Sequence, residues 1–131
     1  MRQWLVAEDA SARWVAVVDG SVAGHVMILP PHAYLTDFLD SIDYSPRAAR
    51  GFTEVARVFV DPSFWRRGIA SMLLETAIGY AWSKQLQPAL AVVTTSTAAI
   101  ELYGRAGLIR LGSFCGVHGE NVVMIDESAP D

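Results

Sequence analysis

One segment of this chain constrains its fold more than any other, the run Phe52–Ala70, FTEVARVFVDPSFWRRGIA. The segment has the pattern of an apolar strand, a turn and the start of a helix, and the turn carries Arg66, Arg67 and Gly68 before the small Ala70. The first backbone N–H groups of a helix have no partner within it, and the helix dipole favours negative charge there. The segment therefore predicts a site for a phosphate-bearing ligand, with an ordinary exposed strand-to-helix turn as the alternative.

Composition narrows the class of protein. The chain has 131 residues, of which 52% are hydrophobic and 18% charged, and this is typical of one globular domain. A net charge of −4 argues against a general nucleic-acid binder. The sequence shows no membrane-spanning apolar run and no signal-peptide pattern, so a cytoplasmic protein is predicted. The three histidines share no ligand spacing and the single cysteine, Cys115, has no companions, so no metal site is expected and Cys115 is predicted to be buried.

The first third of the chain predicts a hairpin and a helix. The β-branched runs Trp14–Val18 and Val22–Ile28 flank Asp19-Gly20-Ser21, and Asp-Gly between two apolar runs is a strong hairpin signal. In His32–Asp43, four apolar residues recur at helical spacing, and aspartates occupy another side. Together with Tyr34 and Phe38, those aspartates would suit a cationic amine, although a solvated helix face is the alternative.

The remainder of the chain alternates strands and helices. Strands are predicted over Glu54–Val60, Ala89–Val93, Leu108–Cys115 and Asn121–Ile125, and helices over Ile69–Gln85 and Ala98–Ala106. Alternation along the first of these strands predicts one face made of Glu54, Ala56, Val58 and Val60. The fold class is therefore α/β, a mixed sheet with flanking helices, in which a parallel strand–helix–strand crossover runs from Glu54 to Val93.

Two motifs together give the chain a recognisable pattern. The first is V-x-P at Val60–Pro62, followed six residues later by Gly68 within RRGIA; the second is A-x-x-L-Y-x-x-x-G-L, which spans Ala99–Leu108 and includes Tyr103. The joint pattern resembles the GNAT superfamily of acetyl-CoA-dependent N-acetyltransferases. The resemblance implies a single GNAT-like domain over residues 1–131, with an N-terminal stub at 1–13 and a loose tail at 128–131.

The resemblance also implies a function and a set of site residues. It implies that acetyl-CoA is the co-substrate and that an amine of a small molecule or peptide attacks the thioester directly. Glu54 would be the general base and Tyr103 the general acid. The implied cofactor-binding residues come from the strand, the turn and the second motif: Val58, Phe59, Val60, Arg66, Arg67, Gly68, Ile69, Ala70, Ser71, Ser96 and Tyr103.

The sequence departs from the family pattern at three places. Trp65 stands at the first position of the Q/R-x-x-G-x-G/A motif, and Ser96 stands where the family often has asparagine. Only 13 residues precede Trp14, too few for the family's usual first strand and two helices, which would need roughly 30 residues. The hairpin should then leave the sheet uncovered, and a homodimer is expected. A non-catalytic acyl-CoA-binding module or partner subunit is the alternative to the enzyme.

Overall fold

The computed structural model describes residues 2–8 and 11–129, with side chains over 11–129. The strands are β1 (Arg2–Glu8), β2 (Ser11–Val18), β3 (Ser21–Leu29), β4 (Phe52–Val60), β5 (Gln87–Val93), β6 (Ile109–Gly116) and β7 (Gly119–Ile125). The helices are α1 (Ala33–Ser41), α2 (Ile69–Ser83) and α3 (Thr97–Arg105), and a 3-10 turn spans Pro62–Phe64. The described strands form one sheet in the order β1-β2-β3-β4-β5-β7-β6. Only the β4–β5 pair is parallel in this sheet, which confirms the mixed sheet and its parallel crossover.

The front of the chain corrects one prediction. Residues 1–13 were expected to be a stub without the first strand, but Arg2–Glu8 pairs with β2 along its length, with Leu5 opposite Trp14. A short β-prone run can obtain its backbone hydrogen bonds from a neighbouring strand even when its own sequence signal is weak. Residues 9 and 10 alone separate β1 from β2, so no helix lies between those two strands. The side chains of Trp4–Val6 lie outside the described part of the chain.

The β2–β3 hairpin forms as predicted. Asp19 and Gly20 both have positive φ, at 50° and 80°, which is the turn geometry that matches the twist of the flanking strands. β2 and β3 then pair antiparallel from Ala12–Ile28 to Val18–Ser21.

Two hydrophobic cores lie on opposite faces of the sheet. Alternate residues of β7 divide between them, because Val122 and Met124 pack in one core and Val123 and Ile125 in the other. The larger core lies under α2 and receives Leu73, Leu74 and Ala77 together with β2 and β3 residues such as Trp14 and Val26. The smaller core receives Leu35 and Leu39 of α1. Helices α2 and α3 therefore cover one face, and α1 covers the other.

A β-bulge in β4 overturns the predicted alternation of that strand. Met27 pairs with Ala56 and His25 with Phe59, so β4 has one extra residue between these pairs. Arg57 adopts φ +54°, and its carbonyl accepts a hydrogen bond from Nδ1 of His25 at 3.0 Å. Beyond the bulge the faces exchange, because an inserted residue reverses which way each later side chain points.

The consequence is that Glu54 and Val58 do not share a face. The larger core, under α2, includes or contacts Val55, Val58 and Val60. Glu54 instead contacts the segment that leads into α1. The predicted common face of Glu54, Ala56, Val58 and Val60 is therefore wrong.

Other sequence expectations have mixed outcomes. Gly107, at φ +104°, follows the last residues of α3, as the predicted helix stop requires. Cys115 is exposed rather than buried, because it lies near the hairpin end of the edge strand β6. Residues 126–129 have no regular secondary structure; the rest of the predicted tail, 130 and 131, lies outside the described residues. No helix in the described ranges combines the length and apolar character needed to cross a membrane.

Candidate functional site

Strands β4 and β5 separate in the middle of the sheet. They pair over only three positions, of which Glu54–Ala89 is the last. Beyond it, β4 continues along β3 as far as Val60, and β5 continues along β7 as far as Val93. The bulge at Arg57 bends β4 at the same level. The result is a wedge between two parallel strands, with one β4 edge left without a strand partner within the described sheet.

The wedge opens on the α2 face into a cleft of about 740 Å³, called here the α2-side cleft. Nine of the residues predicted to bind a cofactor line it: Val58, Phe59, Val60, Arg66, Gly68, Ile69, Ala70, Ser71 and Tyr103. Two predicted residues, Arg67 and Ser96, are not among its lining residues. Residues that the second motif placed on one helix are thus brought next to the strand and turn of the first motif.

The N-terminus of α2 faces this cleft without a side-chain cap. Gly68 is the N-cap in the left-handed region, at φ +74°, and no side chain accepts a hydrogen bond from the helix start. No acidic residue lies in the first turn. The N–H groups of Ile69, Ala70 and Ser71 therefore keep their capacity to bind an anion, and Arg66 adds positive charge.

The two predicted residues outside the cleft have other surroundings. The Arg67 guanidinium lies over the Phe64 ring, 5.4 Å from its centroid. Ser96 is the N-cap of α3, and its backbone N–H donates to the Val93 carbonyl at 3.0 Å. Arg67 thus makes a cation–π contact within the turn, and Ser96 lies at the start of α3.

Trp65 contributes a contact that the sequence did not predict. Its indole Nε1 donates to the carbonyl of Val60 at 2.7 Å, while 62% of the residue remains exposed. The ring lines the α2-side cleft next to the strand end. A residue that departs from the family pattern therefore still borders the cleft, through its side chain.

Tyr103 lines the same cleft from α3. Burial raises the pKa of its phenol above the ordinary value of 10.0, so the hydroxyl stays protonated at neutral pH. No hydrogen-bond partner is found for this hydroxyl among the described residues. A protonated and uncommitted phenol is suited to donate a proton to a group bound in the cleft.

Glu54 lies at the narrow end of the wedge, on the opposite face. It is 4% exposed, and both of its carboxylate oxygens accept hydrogen bonds. The backbone N–H of His32 donates to Oε1 at 2.9 Å, and Nδ1 of the same residue lies 3.0 Å from that oxygen. The Tyr34 hydroxyl donates to Oε2. Burial, followed by the hydrogen bond and the charge of Glu54, raises the pKa of Tyr34.

A second cleft, of about 680 Å³, lies on the α1 face and is called here the α1-side cleft. Helix α1 contributes Tyr34, Asp37, Phe38 and Ser41 to it; β5 contributes Ala91 and Val93; and β6, β7 and the turn between them contribute Phe114–His118 and Asn121. Tyr34 links this cleft to Glu54 through its hydroxyl. The predicted acceptor segment, His32–Asp43, therefore does supply one wall of a cleft.

The sequence reasoning did not find the contact of His32 and Tyr34 with Glu54. The available signal was the position of His32 directly after Pro30 and Pro31, with Tyr34 two residues further on, beyond the end of the strand that pairs with Glu54. The described residues contain no cluster of three or more side chains that could hold a metal ion.

Comparison with known proteins agrees with this architecture. The model of the acetyltransferase (GNAT) family matches residues 1–108. A curated relative, the uncharacterized N-acetyltransferase MJ1207 of Methanocaldococcus jannaschii, is 31% identical over 106 residues, which cover 80% of this chain. The chain belongs to the GNAT acetyltransferase family.

Solved structures share the fold at low sequence identity. A protein described as a streptothricin acetyltransferase, from Bacillus anthracis str. Ames in complex with acetyl coenzyme A, is 12% identical with a TM-score of 0.71 over 92% of this chain. A GNAT-family acetyltransferase from Streptococcus pneumoniae is 22% identical, with a TM-score of 0.68, also over 92%. This chain spans 42% of the length of the curated relative, and 64% and 69% of the two structures.

Proposed function

We propose that this chain is an N-acetyltransferase that transfers an acetyl group from acetyl-CoA to a primary amine of a small molecule or peptide. One observation carries the proposal: two clefts lie on opposite faces of the sheet, and both border the wedge between β4 and β5. A donor in one cleft and an acceptor in the other would meet at the wedge without competing for space. Family membership and the acetyl-CoA complex of one structural neighbour support this assignment.

In this proposal the α2-side cleft holds acetyl-CoA. The N–H groups at the start of α2 bind the pyrophosphate, and Arg66 adds charge to them. The unpaired edge of β4 over Val58–Val60 pairs with the amides of the pantetheine arm as an added strand would. A backbone N–H of the same strand polarises the thioester carbonyl.

The transfer itself needs two proton steps. An ammonium group with a pKa near 10 must lose a proton before its nitrogen can bond to the carbonyl carbon. Glu54 receives that proton through His32 or Tyr34, whose side chains hydrogen-bond to its two carboxylate oxygens. As the carbon–sulfur bond breaks, Tyr103 gives its proton to the leaving sulfur. The products are an amide and free CoA thiol; of the two protons that the amine loses, one replaces the proton that Tyr103 gave up and the other is released to solvent.

The alternative is a GNAT fold that binds acyl-CoA without turnover. The direct β1–β2 connection favours it, because the two helices that the family usually places there would wall the acceptor site. Thiol release with acetyl-CoA and a panel of amines separates the two functions. Amine-dependent release of CoA supports the enzyme, whereas tight acetyl-CoA binding with no release from any amine supports the binding module.

A matched pair of variants tests the donor site. Gly68→Glu puts a carboxylate in the proposed phosphate site and should weaken acetyl-CoA binding about 100-fold in calorimetry. Gly79→Glu adds the same charge to the exposed side of α2, where a Cβ meets nothing within 4 Å, and should leave the affinity unchanged. Gly68→Ala controls for the strained φ, since strain lowers stability without adding charge. Equal affinity in Gly68→Glu and wild type would place the phosphate site elsewhere.

A further inference from the structure

We propose that the acceptor amine is a monoamine with an apolar, ring-bearing body, rather than a polyamine or a peptide. The inference rests on the proposed function, because it assigns the acceptor to the α1-side cleft. Three observations support it: the aromatic residues that form one wall of the cleft, the close packing of that wall against β6, and the few charged residues that line the cleft.

Three aromatic rings form a continuous wall of the cleft. Phe114 lies between the other two, with its ring centroid 5.8 Å from that of Tyr34 and 6.0 Å from that of Phe38. Ring planes tilted at 34° and 42° leave faces and edges available to a further ring. Such a surface binds a flat apolar group better than it binds a flexible, hydrated chain.

The position of this wall depends on a glycine in the strand behind it. A Cβ at Gly112 would come within 2.9 Å of Cζ of Phe38, closer than real Cβ atoms approach other atoms. The missing side chain lets the Cζ end of the Phe38 ring reach the backbone of β6 at Gly112. The glycine thus lets Phe38 sit close to the strand as part of the wall, and the cleft volume of 680 Å³ falls within the range of small-molecule sites.

The charges of the cleft match one positive group. Among the described residues that line it, Asp37 is the single carboxylate, and none is lysine or arginine. A polyamine carries several positive charges at neutral pH and is stabilised by several carboxylates or a broad polar surface. A peptide gains much of its affinity from backbone hydrogen bonds to an open strand edge, whereas these walls are mainly side-chain carbon.

The contacts of Tyr34 give the bound amine a direction. A ring stacked on Phe114 and Phe38 directs an attached aminoalkyl chain towards Tyr34, whose hydroxyl donates to the buried Glu54. Val93, where the paired part of β5 ends, also lines the cleft. The amine would then lie beside the wedge, where the thioester arrives, with a route for its proton towards Glu54.

Three probes test the assignment: 2-phenylethylamine, spermidine and a neutral tripeptide with a free α-amine. With acetyl-CoA, kcat/KM for 2-phenylethylamine should exceed the value for either other amine about tenfold. Phe114→Ala should lower kcat/KM for 2-phenylethylamine about tenfold, with little change for spermidine and none in the acetyl-CoA Kd. Phe114→Leu serves the same purpose if the alanine variant does not fold. Ile109→Ala, on the exposed end of the same strand, should leave every value unchanged.

The outcomes separate this inference from the proposed function. Preference for spermidine or the tripeptide, or equal loss for all amines in the Phe114 variants, overturns the monoamine assignment while leaving acetyl transfer intact. If acetyl-CoA neither binds nor turns over, the proposed function fails. Calorimetric titration of 2-phenylethylamine into the free chain then tests the α1-side cleft independently of acetyl transfer. If the amine binds and Phe114→Ala weakens its binding, the aromatic wall is supported; if the amine does not bind, the monoamine assignment is overturned.

Discussion

His32 places its imidazole Nδ1 3.0 Å from Oε1 of the buried Glu54 carboxylate, and its own backbone N–H donates to the same oxygen. The Tyr34 hydroxyl occupies the other oxygen. A carboxylate accepts hydrogen bonds, so Nδ1 of His32 carries a proton and a neutral ring keeps its lone pair on Nε2. Both Glu54 oxygens are therefore engaged, and a proton from the acceptor would reach the carboxylate through His32 or Tyr34. The proposed base is a hydrogen-bonded group of three side chains rather than an isolated glutamate.

Glu54→Gln should lower kcat about 100-fold, because the amide keeps the size of the side chain but cannot take up a proton. The acetyl-CoA Kd should not change, since Glu54 lies on the other face of the sheet from the α2-side cleft. Steady-state thiol release and calorimetry measure the two quantities. Glu101→Gln is the matched control, because that side chain on α3 is 76% exposed. A wild-type kcat in Glu54→Gln would leave the glutamate with a structural role only.

Tyr103→Phe should lower kcat about 100-fold or more and leave acetyl-CoA affinity close to wild type. The ring remains for packing, and only the proton donor is removed. Burial disfavours the phenolate, so the folded pKa lies above the ordinary 10.0 and the hydroxyl stays protonated as pH rises to 10. The wild-type kcat should accordingly show no alkaline decline from this group below pH 10. Tyr80→Phe on α2 controls for loss of a hydroxyl, and unchanged turnover in Tyr103→Phe would reduce Tyr103 to a packing residue.

Binding of acetyl-CoA should change the tryptophan fluorescence of the chain through Trp65. This ring is 62% exposed at the cleft, and its indole hydrogen bond to Val60 lies on the strand that would pair with the pantetheine arm. Trp82, in contrast, is held by Asp126 at 2.8 Å. The fluorescence change should disappear in Trp65→Phe while calorimetry still detects binding. A full signal in that variant would mean that the ligand affects another tryptophan.

The elements that the sequence predicts correctly are specified by residues within or next to them. The elements that it misses depend on contacts with another strand. The hairpin at Asp19–Gly20, the parallel crossover and the stop at Gly107 follow from signals within a few residues of each element. The bulge at Arg57 does not, because it depends on how β4 pairs with β3 and gives the sequence no glycine to mark it. Strand β1 also depends on a partner strand for its hydrogen bonds.

The candidate site shows the same division. The residues that line the α2-side cleft could be predicted, because they lie in the two motifs and next to Gly68 at the start of a helix. The contacts of His32 and Tyr34 with Glu54 join residues 22 and 20 positions apart in the chain, with most of α1 and the loop after it in between. Such a contact requires the register between β3 and β4, which the sequence pattern alone does not determine.

The last prediction concerns self-association. The sequence predicted a homodimer from an uncovered sheet, but Trp14 is only 4% exposed and β2 is paired on both edges, so the uncovered edge at the hairpin is wrong. An apolar surface remains on the face of β2 and β3 that is turned away from α2, where Val15, Val17 and Met27 are partly exposed. Apolar sheet faces without a covering helix commonly form symmetric interfaces.

Light scattering at tens of micromolar should therefore give the mass of a dimer. Val15→Asp, which puts a charge on that face, should give a monomer, whereas Val117→Asp, in the turn between β6 and β7 at a position 97% exposed, should remain dimeric. A monomeric wild-type chain would contradict the prediction, and a dimer that persists in Val15→Asp would place the interface on another surface.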